Sequence, residues 1–463
     1  MLTSATKVPR SSAITTDICV IGSGPAGLSL ALEFQDRKQS VCMLEGGERD
    51  PNAEAQALYD LETDRLPISP KSRLRVLGGA GKSWKGLWKP HDVIDFAARP
   101  WVPDAGWPIS RALLEPYYER AAKRFGAPQA ADYPASGALD SPQLATSPLF
   151  RLADEDLDLA KKYQTVLEQS KNIMVYLGAN VVRLHAEGNG VHAAHVEVKT
   201  LGGNAFAVAA RRYVLACGGI ENARLLLHSR VGNENVGCYY QDHPKGVAGT
   251  LTTAKPVKWP AYWGIRSGRW WMKAGLRLSD AVQEREQILN SFVTLEPDVE
   301  GLARWVTKLF KSAPKVIKIK VRNYLEQAPI RNNRVTLSSK TDKFGNPLAK
   351  VSWSLSDLDK KTMITFHQIL HDEFSRRGIG KLQSSLLSGD GSFPKLSDAS
   401  HHMGTTRMGS DPMTSVVDVN CKLHGVGNVF VTGSSVFPTS GYANPNATIV
   451  ALAIRLADYL KVA

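Results

Sequence analysis

The stretch that decides the fold is residues 17–45, DICVIGSGPAGLSLALEFQDRKQSVCMLE. Its first apolar run, residues 18–21, predicts a strand buried on both faces. The run enters Gly22-Ser-Gly24-Pro-Ala-Gly27, and residues 28–34 predict a helix. In such a strand–turn–helix unit Gly22 permits the tight turn, Gly24 lets the backbone approach a pyrophosphate, and Gly27 lets the helix pack closely. The pattern therefore predicts a dinucleotide site at the helix N-terminus.

A second apolar run, residues 41–44, ends at Glu45, eighteen residues after Gly27. A carboxylate at this distance is expected to accept a hydrogen bond from a ribose hydroxyl. An acid rather than a basic residue at this strand end argues against a 2′-phosphate and therefore against NADP. The pattern does not separate NAD from FAD.

Composition bounds the class of protein. The 463 residues suffice for two or more domains, and contents of 43% hydrophobic and 22% charged residues are typical of a globular protein. The first residues contain no apolar signal segment, and no uninterrupted apolar run reaches membrane-spanning length. The five cysteines are scattered and form no CxxC pair. We therefore predict reduced thiols, a cytoplasmic location and no metal site.

The net charge of +13 favours an anionic partner or substrate, or simply a basic, solvated surface. No nucleic-acid-binding motif accompanies it, so we predict no nucleic-acid partner. Residues 304–322, RWVTKLFKSAPKVIKIKVR, hold seven basic residues and no acid. Three interpretations stay open: association with an anionic membrane, attraction of an acidic substrate, or a solvated sheet edge. Pro314 argues against a long amphipathic helix there.

Further along, glycines 78, 79 and 81 mark a loop whose backbone approaches a neighbour closely. Ser110 predicts an N-cap for a helix over 111–125, and a second helix is expected over 155–168. Runs at 173–176, 180–184, 194–198 and 205–209 predict a small antiparallel meander. A buried strand at 213–216 enters Gly218-Gly219 and a helix. Residues 247–355 predict a sheet that covers the site, and helices follow over 358–376 and 448–460.

With these segments in place, the chain resembles the glucose–methanol–choline (GMC) family of flavin oxidoreductases. Besides residues 22–45 and the loop 78–84, the resemblance rests on five stretches along the chain. They are RPWVPDAGWPIS (99–110), YVLACGGIENARLLL (213–227), VGCYYQDHP (236–244), HHMGTTRMG (401–409) and the pair VVDVNCKLHGVGNVFVTGSSVFPTS and GYANPNATIVALA (416–453).

The resemblance implies FAD rather than NAD. It also implies a fold class of α/β with α+β, in which a Rossmann-like FAD-binding domain is joined to a substrate-binding domain with an antiparallel sheet. We expect residues 1–95, 173–246 and 395–463 to form the FAD-binding domain. Residues 96–172 are expected to supply substrate-domain helices and a lid-like loop, and 247–394 the substrate-binding domain.

The fingerprint and the resemblance together assign a set of residues to cofactor binding. They are Gly22, Ser23, Gly24, Pro25, Ala26, Gly27, Glu45, Gly46, Gly78, Gly79, Ser83, Val181, Ala216, Gly218, Gly433, Ser434, Asn444 and Pro445. In some sugar-oxidising members of the family, a histidine beside the loop tryptophan is linked to flavin. Here Ser83 precedes Trp84, and a serine cannot make that linkage, so we predict noncovalent FAD.

The resemblance also places the chemistry in the C-terminal block. Oxidation of an alcohol requires removal of the hydroxyl proton, for which a neutral imidazole is suited. The family's base is the first histidine of H-x-x-G-T, which selects His401 over His402. Asn444 stands at the second active-site position, where an amide can hold the substrate oxygen. His243, in Asp-His-Pro, is predicted to be structural.

We therefore predict FAD-dependent oxidation of an alcohol group on a sugar, glycoside or polyol, since the stretch at 99–110 and the glycine loop resemble sugar oxidoreductases. Two alternatives stay open: oxidation of a non-sugar alcohol in secondary metabolism, and a catalytically silent FAD-fold binding protein. No motif encodes the electron acceptor. Tryptophans 259, 263, 270, 271 and 305 are interpreted either as a wall that stacks on the substrate or as core.

Overall fold

In the computed structural model, residues 1–134, 137–188, 190–298, 316–389, 391 and 393–462 are described. Their strands are β1 Leu2–Ser4, β2 Ala13–Ile21, β3 Val41–Glu45, β4 Leu61–Arg65, β5 Leu87–Trp88, β6 Leu144–Arg151, β7 Ile173–Leu177, β8 Asn180–Ala186, β9 Ala193–Lys199, β10 Ala205–Leu215, β11 Lys245–Val257, β12 Ile265–Ser267, β13 Trp270–Leu278, β14 Phe292–Pro297, β15 Val316–Tyr324, β16 Arg334–Thr341, β17 Pro347–Trp353, β18 Gly380–Ser384 and β19 Val429–Val431. Their α-helices are α1 Pro25–Leu32, α2 Ala53–Ala57, α3 Val93–Phe96, α4 Arg111–Phe125, α5 Leu159–Lys162, α6 Gln164–Gln169, α7 Glu221–Ser229, α8 Pro260–Trp263, α9 Asp280–Glu286, α10 Asp357–Arg376 and α11 Asn446–Val462.

The first sheet carries the dinucleotide fingerprint, and its strand order is β1-β7-β3-β2-β10-β9-β8, with β19 also paired to β10. The pairs from β1 through β10 and the β10–β19 pair are parallel. Strand β10 is long enough to serve two neighbours: its first residues pair antiparallel with β9, and its last three pair with β19. All five residues of β3 are buried, as expected for a parallel strand covered on both faces.

The second sheet is antiparallel, with strand order β18-β11-β15-β14-β13-β6-β5 and β12 beside β13. A smaller sheet, β16-β17-β4, joins residues 61–65 to the chain some 280 positions later through the parallel β17–β4 pair, as in Leu61 opposite Ala349. The predicted fold class, a Rossmann-like unit joined to an antiparallel sheet, is confirmed. The domain boundaries stay a prediction.

Helix α11 packs against α1 and α4, so that all three helices share the core of the first sheet. Ser110 caps α4 by accepting from the backbone N–H of Leu113, and the helix ends at Gly126 with φ +58°. Tyr118 of α4 and Thr448 of α11 share a buried hydrogen bond of 2.7 Å. No helix of the described residues is both long enough and apolar enough to cross a membrane.

Several predicted elements differ from the structure. The run at 173–176 is not part of the antiparallel meander: β7 pairs parallel with β3 and β1, and the meander consists of β8, β9 and β10. A continuous helix over 155–168 is also wrong, because Tyr163, at ψ +18°, separates α5 from α6. Helix α1 begins at Pro25 rather than 28, since proline at the first position suits a helix start.

The basic run at 304–322 is described only from Val316, and its earlier residues, Trp305 included, lie outside the described residues. The described part forms β15, inside the second sheet between β11 and β14. Its side chains alternate: Ile319 and Val321 are buried, whereas Lys320 pairs with Asp298 at 2.7 Å on the exposed face. For these residues the charge accompanies the polar face of a sheet.

Candidate active site

In the turn between β2 and α1, glycine is required at Gly22 and Gly27 because a side chain would overlap the protein backbone. Gly22 has φ +102°, and a Cβ there would lie 2.7 Å from the carbonyl oxygen of Ala216. A Cβ on Gly27 would lie 2.0 Å from the carbonyl oxygen of Gly22. Both positions therefore exclude a side chain because the protein's own backbone fills the space.

Gly24 has a different environment. Its φ of −64° is accessible to any residue, and an added Cβ would meet no atom within 4 Å. An added Cβ on Gly218 would likewise meet no atom within 4 Å, although its φ of +88° disfavours a side chain. Both glycines line the same cavity, so their bare backbone faces empty space rather than protein. This is the arrangement expected where a pyrophosphate approaches a helix N-terminus, and the residues fit a dinucleotide.

Glu45 lies at the end of β3, buried beside this turn. Its carboxylate accepts from the backbone N–H and the hydroxyl of Ser23, at 3.0 and 2.5 Å, and from the N–H of Gly47 at 2.7 Å. The hydroxyl of Ser23 also accepts from the N–H of Gly78, at 3.1 Å. Because a carboxylate offers about four acceptor sites, about one remains for a ribose hydroxyl. The serine is therefore the bridge between the strand end and the glycine loop.

Two adjoining cavities share Gly22, Glu45, Tyr59 and Cys217 among their lining residues. The smaller encloses about 710 Å³ and is lined by the predicted residues Gly46 and Val181. The larger encloses about 1790 Å³, counted out to solvent. Predicted cofactor residues that line it are Ser23, Gly24, Pro25, Ala26, Gly79, Ser83, Ala216, Gly218, Gly433, Ser434, Asn444 and Pro445.

Gly27 and Gly78 are the predicted cofactor residues that do not line either cavity. Gly78, at φ +92°, starts a 3-10 turn over Gly79–Lys82. This turn lies against the fingerprint, since a Cβ on Gly79 would be 3.1 Å from the Cα of Gly24. Gly27 and Gly78 therefore support the residues that line the cavity but do not line it themselves. The exposed Ser83 side chain lies at the cavity, and its hydroxyl donates to the Ala80 carbonyl at 3.4 Å.

The two predicted catalytic residues meet in the larger cavity. His401 Nε2 lies 3.2 Å from Asn444 Nδ2, although 43 positions separate the residues in the chain. Asn444 precedes α11, whereas the loop of His401 is held by paired backbone hydrogen bonds between Gln241 and Met403. Burial, reinforced by His243 and Lys245, lowers the pKa of His401 well below that of a free imidazole. The ring is therefore neutral near neutral pH and able to accept a proton.

His402, the adjacent histidine, points elsewhere. Its ring stacks on Tyr240, with centroids 6.0 Å apart, and its buried Nε2 has no hydrogen-bond partner among the described residues. Burial, with Arg73 nearby, lowers the pKa of His402 to about 3. Its carbonyl accepts from the hydroxyl of Ser434 at 2.7 Å. His402 lines the cavity, but no hydrogen bond joins it to Asn444, whereas one joins His401 to Asn444.

His243 is predicted from the sequence to be structural, yet its Nδ1 lies 2.9 Å from His401 Nδ1. The preceding residue, Asp242, holds both segments: one carboxylate oxygen accepts from the N–H groups of His243, Ala399 and His401, at 2.6, 3.0 and 3.2 Å. Burial, together with Asp398, raises the pKa of Asp242 to about 7. The Asp-His-Pro motif signals these residues in the sequence, but not what they contact.

Of the five tryptophans interpreted either as a substrate wall or as core, the four that the structure describes do not form a wall at His401. Trp259 and Trp263 pack on the core of the antiparallel sheet, Trp270 donates to the Gly126 carbonyl at 2.7 Å, and Trp271 is 40% exposed. None of these four lines the large cavity. The aromatic side chains that do are Tyr59, Trp84 and Tyr324, and the charged ones are Glu45, Lys71, Arg73, Lys85 and Lys245. Apart from the engaged Glu45, the described charge of this cavity is therefore positive.

Comparison with known proteins identifies a family and several relatives of this chain. A model of the GMC oxidoreductase family matches residues 160–245, and a second model of the same family matches residues 329–453. The chain is similar to paromamine 6'-oxidase of Streptomyces fradiae, with 25% identity over 95% of this chain and 90% of that protein. It is also similar to 2-methyl-1,2-propanediol dehydrogenase of Mycolicibacterium austroafricanum, with 25% identity over 97% of this chain and 96% of that protein.

The fold has solved counterparts. The crystal structure of pyridoxine 4-oxidase from Mesorbium loti superposes with a TM-score of 0.57 at 19% identity, covering 96% of this chain and 99% of that chain. Two models of one family match in order along the chain, and the relatives match along nearly its whole length. The chain therefore belongs to the GMC oxidoreductase family and is an FAD-dependent oxidoreductase.

Proposed function

We propose that the protein oxidises an alcohol group on a sugar, glycoside or polyol, with His401 as the base. The observation that carries this proposal is the 3.2 Å contact between His401 Nε2 and Asn444 Nδ2, at a cavity that the dinucleotide turn also lines. A neutral imidazole and an amide this close together can both contact one substrate hydroxyl. A cytoplasmic location is retained as part of this proposal.

The fingerprint turn, Glu45 and the loops at 216–218 and 433–434 would hold FAD, which when bound supplies the acceptor for a hydride. The chain's own residues do the rest. His401 Nε2 accepts the hydroxyl proton as the carbonyl product forms, and the Asn444 amide donates to the substrate oxygen without competing for its proton. The amide also fixes the oxygen relative to the imidazole, which places the proton within reach of Nε2.

Carbohydrate as the substrate class is supported by the resemblance to paromamine 6'-oxidase, although 25% identity does not transfer a specific substrate. The cavity argues against a polycationic aminoglycoside for this chain. Lys245 lines the wall near His401, and no carboxylate among the described residues forms an ion pair with it. A cation in such a position repels ammonium groups and tolerates neutral or acidic ones. We therefore propose a neutral or acidic sugar, glycoside or polyol.

The test is anaerobic mixing of the FAD-loaded protein with a panel of neutral sugars, uronates, aminoglycosides and simple alcohols, followed by flavin absorbance. Bleaching by sugars or polyols supports the proposal. Bleaching only by other alcohols favours the second candidate, a non-sugar alcohol, which the resemblance to 2-methyl-1,2-propanediol dehydrogenase supports. A protein that stays oxidised with every compound would be a binding protein with an FAD fold.

The role of His401 is tested by a matched pair of neighbouring substitutions. His401→Ala is expected to slow flavin reduction by about 10²–10⁴-fold, the usual contribution of a general base. His402→Ala removes a ring that does not contact Asn444 and is expected to cost far less. Asn444→Ala should slow reduction while the flavin stays bound. A larger loss for His402→Ala than for His401→Ala would transfer the role of base to the second histidine.

Noncovalent FAD is also proposed, because Ser83 occupies the loop position before Trp84 and a serine cannot form the histidyl linkage. Acid or heat precipitation is expected to release all the yellow colour into the supernatant. Flavin that remains with the washed, denatured pellet would contradict the proposal.

A further inference from the structure

We propose that His243 is a positioning residue that selects the tautomer of His401, so that Nδ1 of His401 carries the hydrogen and Nε2 presents its lone pair to the substrate. The inference rests on the proposed role of His401 as the base. His243 does not line the cavity and is 1% exposed, so it acts through His401 and not on the substrate.

The direction of the hydrogen bonds starts from a backbone carbonyl. His243 Nε2 lies 3.2 Å from the carbonyl oxygen of Ser440, which can only accept, so Nε2 carries the hydrogen. In a neutral ring the other nitrogen, Nδ1, then has only a lone pair. It lies 2.9 Å from His401 Nδ1, which must therefore be the donor. His401 Nε2 is left unprotonated and accepts from the Asn444 amide in the unliganded site.

This assignment requires that neither ring be charged, and their surroundings favour that state. Burial lowers the pKa of His243 to about 4, and burial lowers the pKa of His401 well below its ordinary value. After burial, the causes that lower the pKa of His401 are His243, Lys245, His402 and His91, and each disfavours a positive charge on the ring. The alternative in which His243 donates from both nitrogens would place a buried cation beside Lys245.

The Ser440 carbonyl is itself held by more than one donor. His91 Nε2 lies 2.8 Å from the same oxygen, and its Nδ1 lies 2.8 Å from the hydroxyl of Thr448. One carbonyl with two lone pairs thus receives two imidazole N–H groups. Ser440 is also four residues before Asn444, so one short segment orients His243 and supplies the amide that faces His401.

The consequence is chemical. A His401 ring in the other tautomer would present Nε2–H to the substrate hydroxyl and could not accept its proton. Where the hydrogen bond at one nitrogen sets the tautomer, the other nitrogen is held ready as the base.

The test compares His243→Leu, which removes the acceptor, with His243→Asn, whose Oδ1 can occupy the position of Nδ1. His371→Leu, outside the cavity, serves as the control.

In stopped-flow reduction of the FAD-loaded enzyme, His243→Leu is expected to lower the limiting rate about 10- to 100-fold while the substrate Kd changes little. His243→Asn is expected to recover most of the rate. Equal rates for wild type and His243→Leu, or an equally slow His243→Asn with normal FAD content, would overturn the proposal. Should His243→Leu fail to fold, the asparagine variant and the spectroscopic test below decide.

A second measurement does not depend on turnover. In the ¹⁵N-histidine-labelled holoenzyme, the side-chain ¹⁵N shifts of His401, assigned by comparison with His401→Gln, report which nitrogen is protonated. Protonation at Nδ1, lost or mixed in His243→Leu, supports the proposal, and protonation at Nε2 in the wild type overturns it. If His401→Ala reduces flavin at the wild-type rate, the role of His401 as base fails, whereas the tautomer is still read from the spectrum.

Discussion

Substituting two glycines of one fingerprint separates cofactor binding from folding. In Gly27→Ala the new Cβ would lie 2.0 Å from the Gly22 carbonyl oxygen, whereas ordinary contacts begin at 3.4 Å. In Gly24→Ala the Cβ meets no protein atom within 4 Å and projects into the cavity. The first substitution is therefore expected to damage the apoprotein, and the second to damage FAD binding.

The magnitudes follow from these contacts. The overlap at Gly27 is with backbone, which cannot rotate away, so we expect a loss of about 1–3 kcal/mol or more in the free energy of unfolding. At Gly24 the backbone angles suit alanine, and the change of an N-cap from glycine to alanine costs about 0.5–1 kcal/mol. A methyl group facing the pyrophosphate is expected to weaken FAD binding by about 1–3 kcal/mol, the same range as the overlap at Gly27. This loss raises the Kd for FAD about 10- to 100-fold.

The assay measures the two quantities separately on each variant. Thermal or denaturant unfolding of the flavin-free protein reports stability, and titration with FAD, followed by the quenching of its fluorescence, reports Kd. Unfolding must be compared without FAD, because bound ligand stabilises the folded state by mass action.

The reasoning would be refuted by wild-type FAD affinity in Gly24→Ala, since its Cβ would then not face the cofactor. Wild-type stability of flavin-free Gly27→Ala would refute the other half, because the contact with Gly22 would then have room to relax. A large loss of apoprotein stability in Gly24→Ala would likewise contradict the open space at that position.

Three further predictions concern pH, a buried ion pair and substrate charge. Burial holds the pKa of His401 well below about 6.5, so the rate of flavin reduction is expected to stay level from about pH 8 to 6.5. The rate should fall only when lower pH protonates the ring. A rate that already falls with decreasing pH above about pH 7 would contradict this prediction. Arg99 and Glu326 form a buried ion pair at 2.6 Å, so Arg99→Met should lower the free energy of unfolding by about 3–5 kcal/mol, measured by urea denaturation. The control is Arg49→Met, in the exposed pair with Glu168, which should lower it by only about 0–1 kcal/mol. Lys245→Met is expected to lower kcat/KM for a uronate about tenfold relative to the matching neutral sugar, and to raise kcat/KM for an aminoglycoside. Unchanged ratios of kcat/KM between charged and neutral substrates would show that Lys245 does not select the substrate.

The dinucleotide fingerprint is readable from sequence because its requirements are local. Gly22, Gly24 and Gly27 fall within six residues, and Glu45 follows at a distance set by one helix and one strand. An apolar run, an N-cap and a helical pattern likewise predict β3 and helices α4 and α10 to within one residue, whereas β2 begins at Ala13, five residues before the predicted run. The resemblance to the GMC family adds the order of the motifs and, with it, FAD.

Which neighbour a strand takes is not local. The run at 173–176 reads as the start of a meander because its successors are close in sequence, yet β7 joins the parallel sheet beside β3. A short apolar run buried on both faces suits either neighbour. The packing of the whole sheet determines which strand β7 pairs with, and this partner cannot be predicted from the apolar pattern.

The site shows the same division. By itself the sequence determined the types of the proposed reacting groups, an imidazole at 401 and an amide at 444, together with the glycines of the dinucleotide fingerprint. Tertiary structure alone decided which histidine contacts Asn444, that His243 lies 158 positions from His401 in the chain and yet 2.9 Å from its ring, and that the Ser440 carbonyl accepts from His243. The physical reason is that a residue's type is a property of one position, whereas a hydrogen bond depends on where two distant backbones place their atoms.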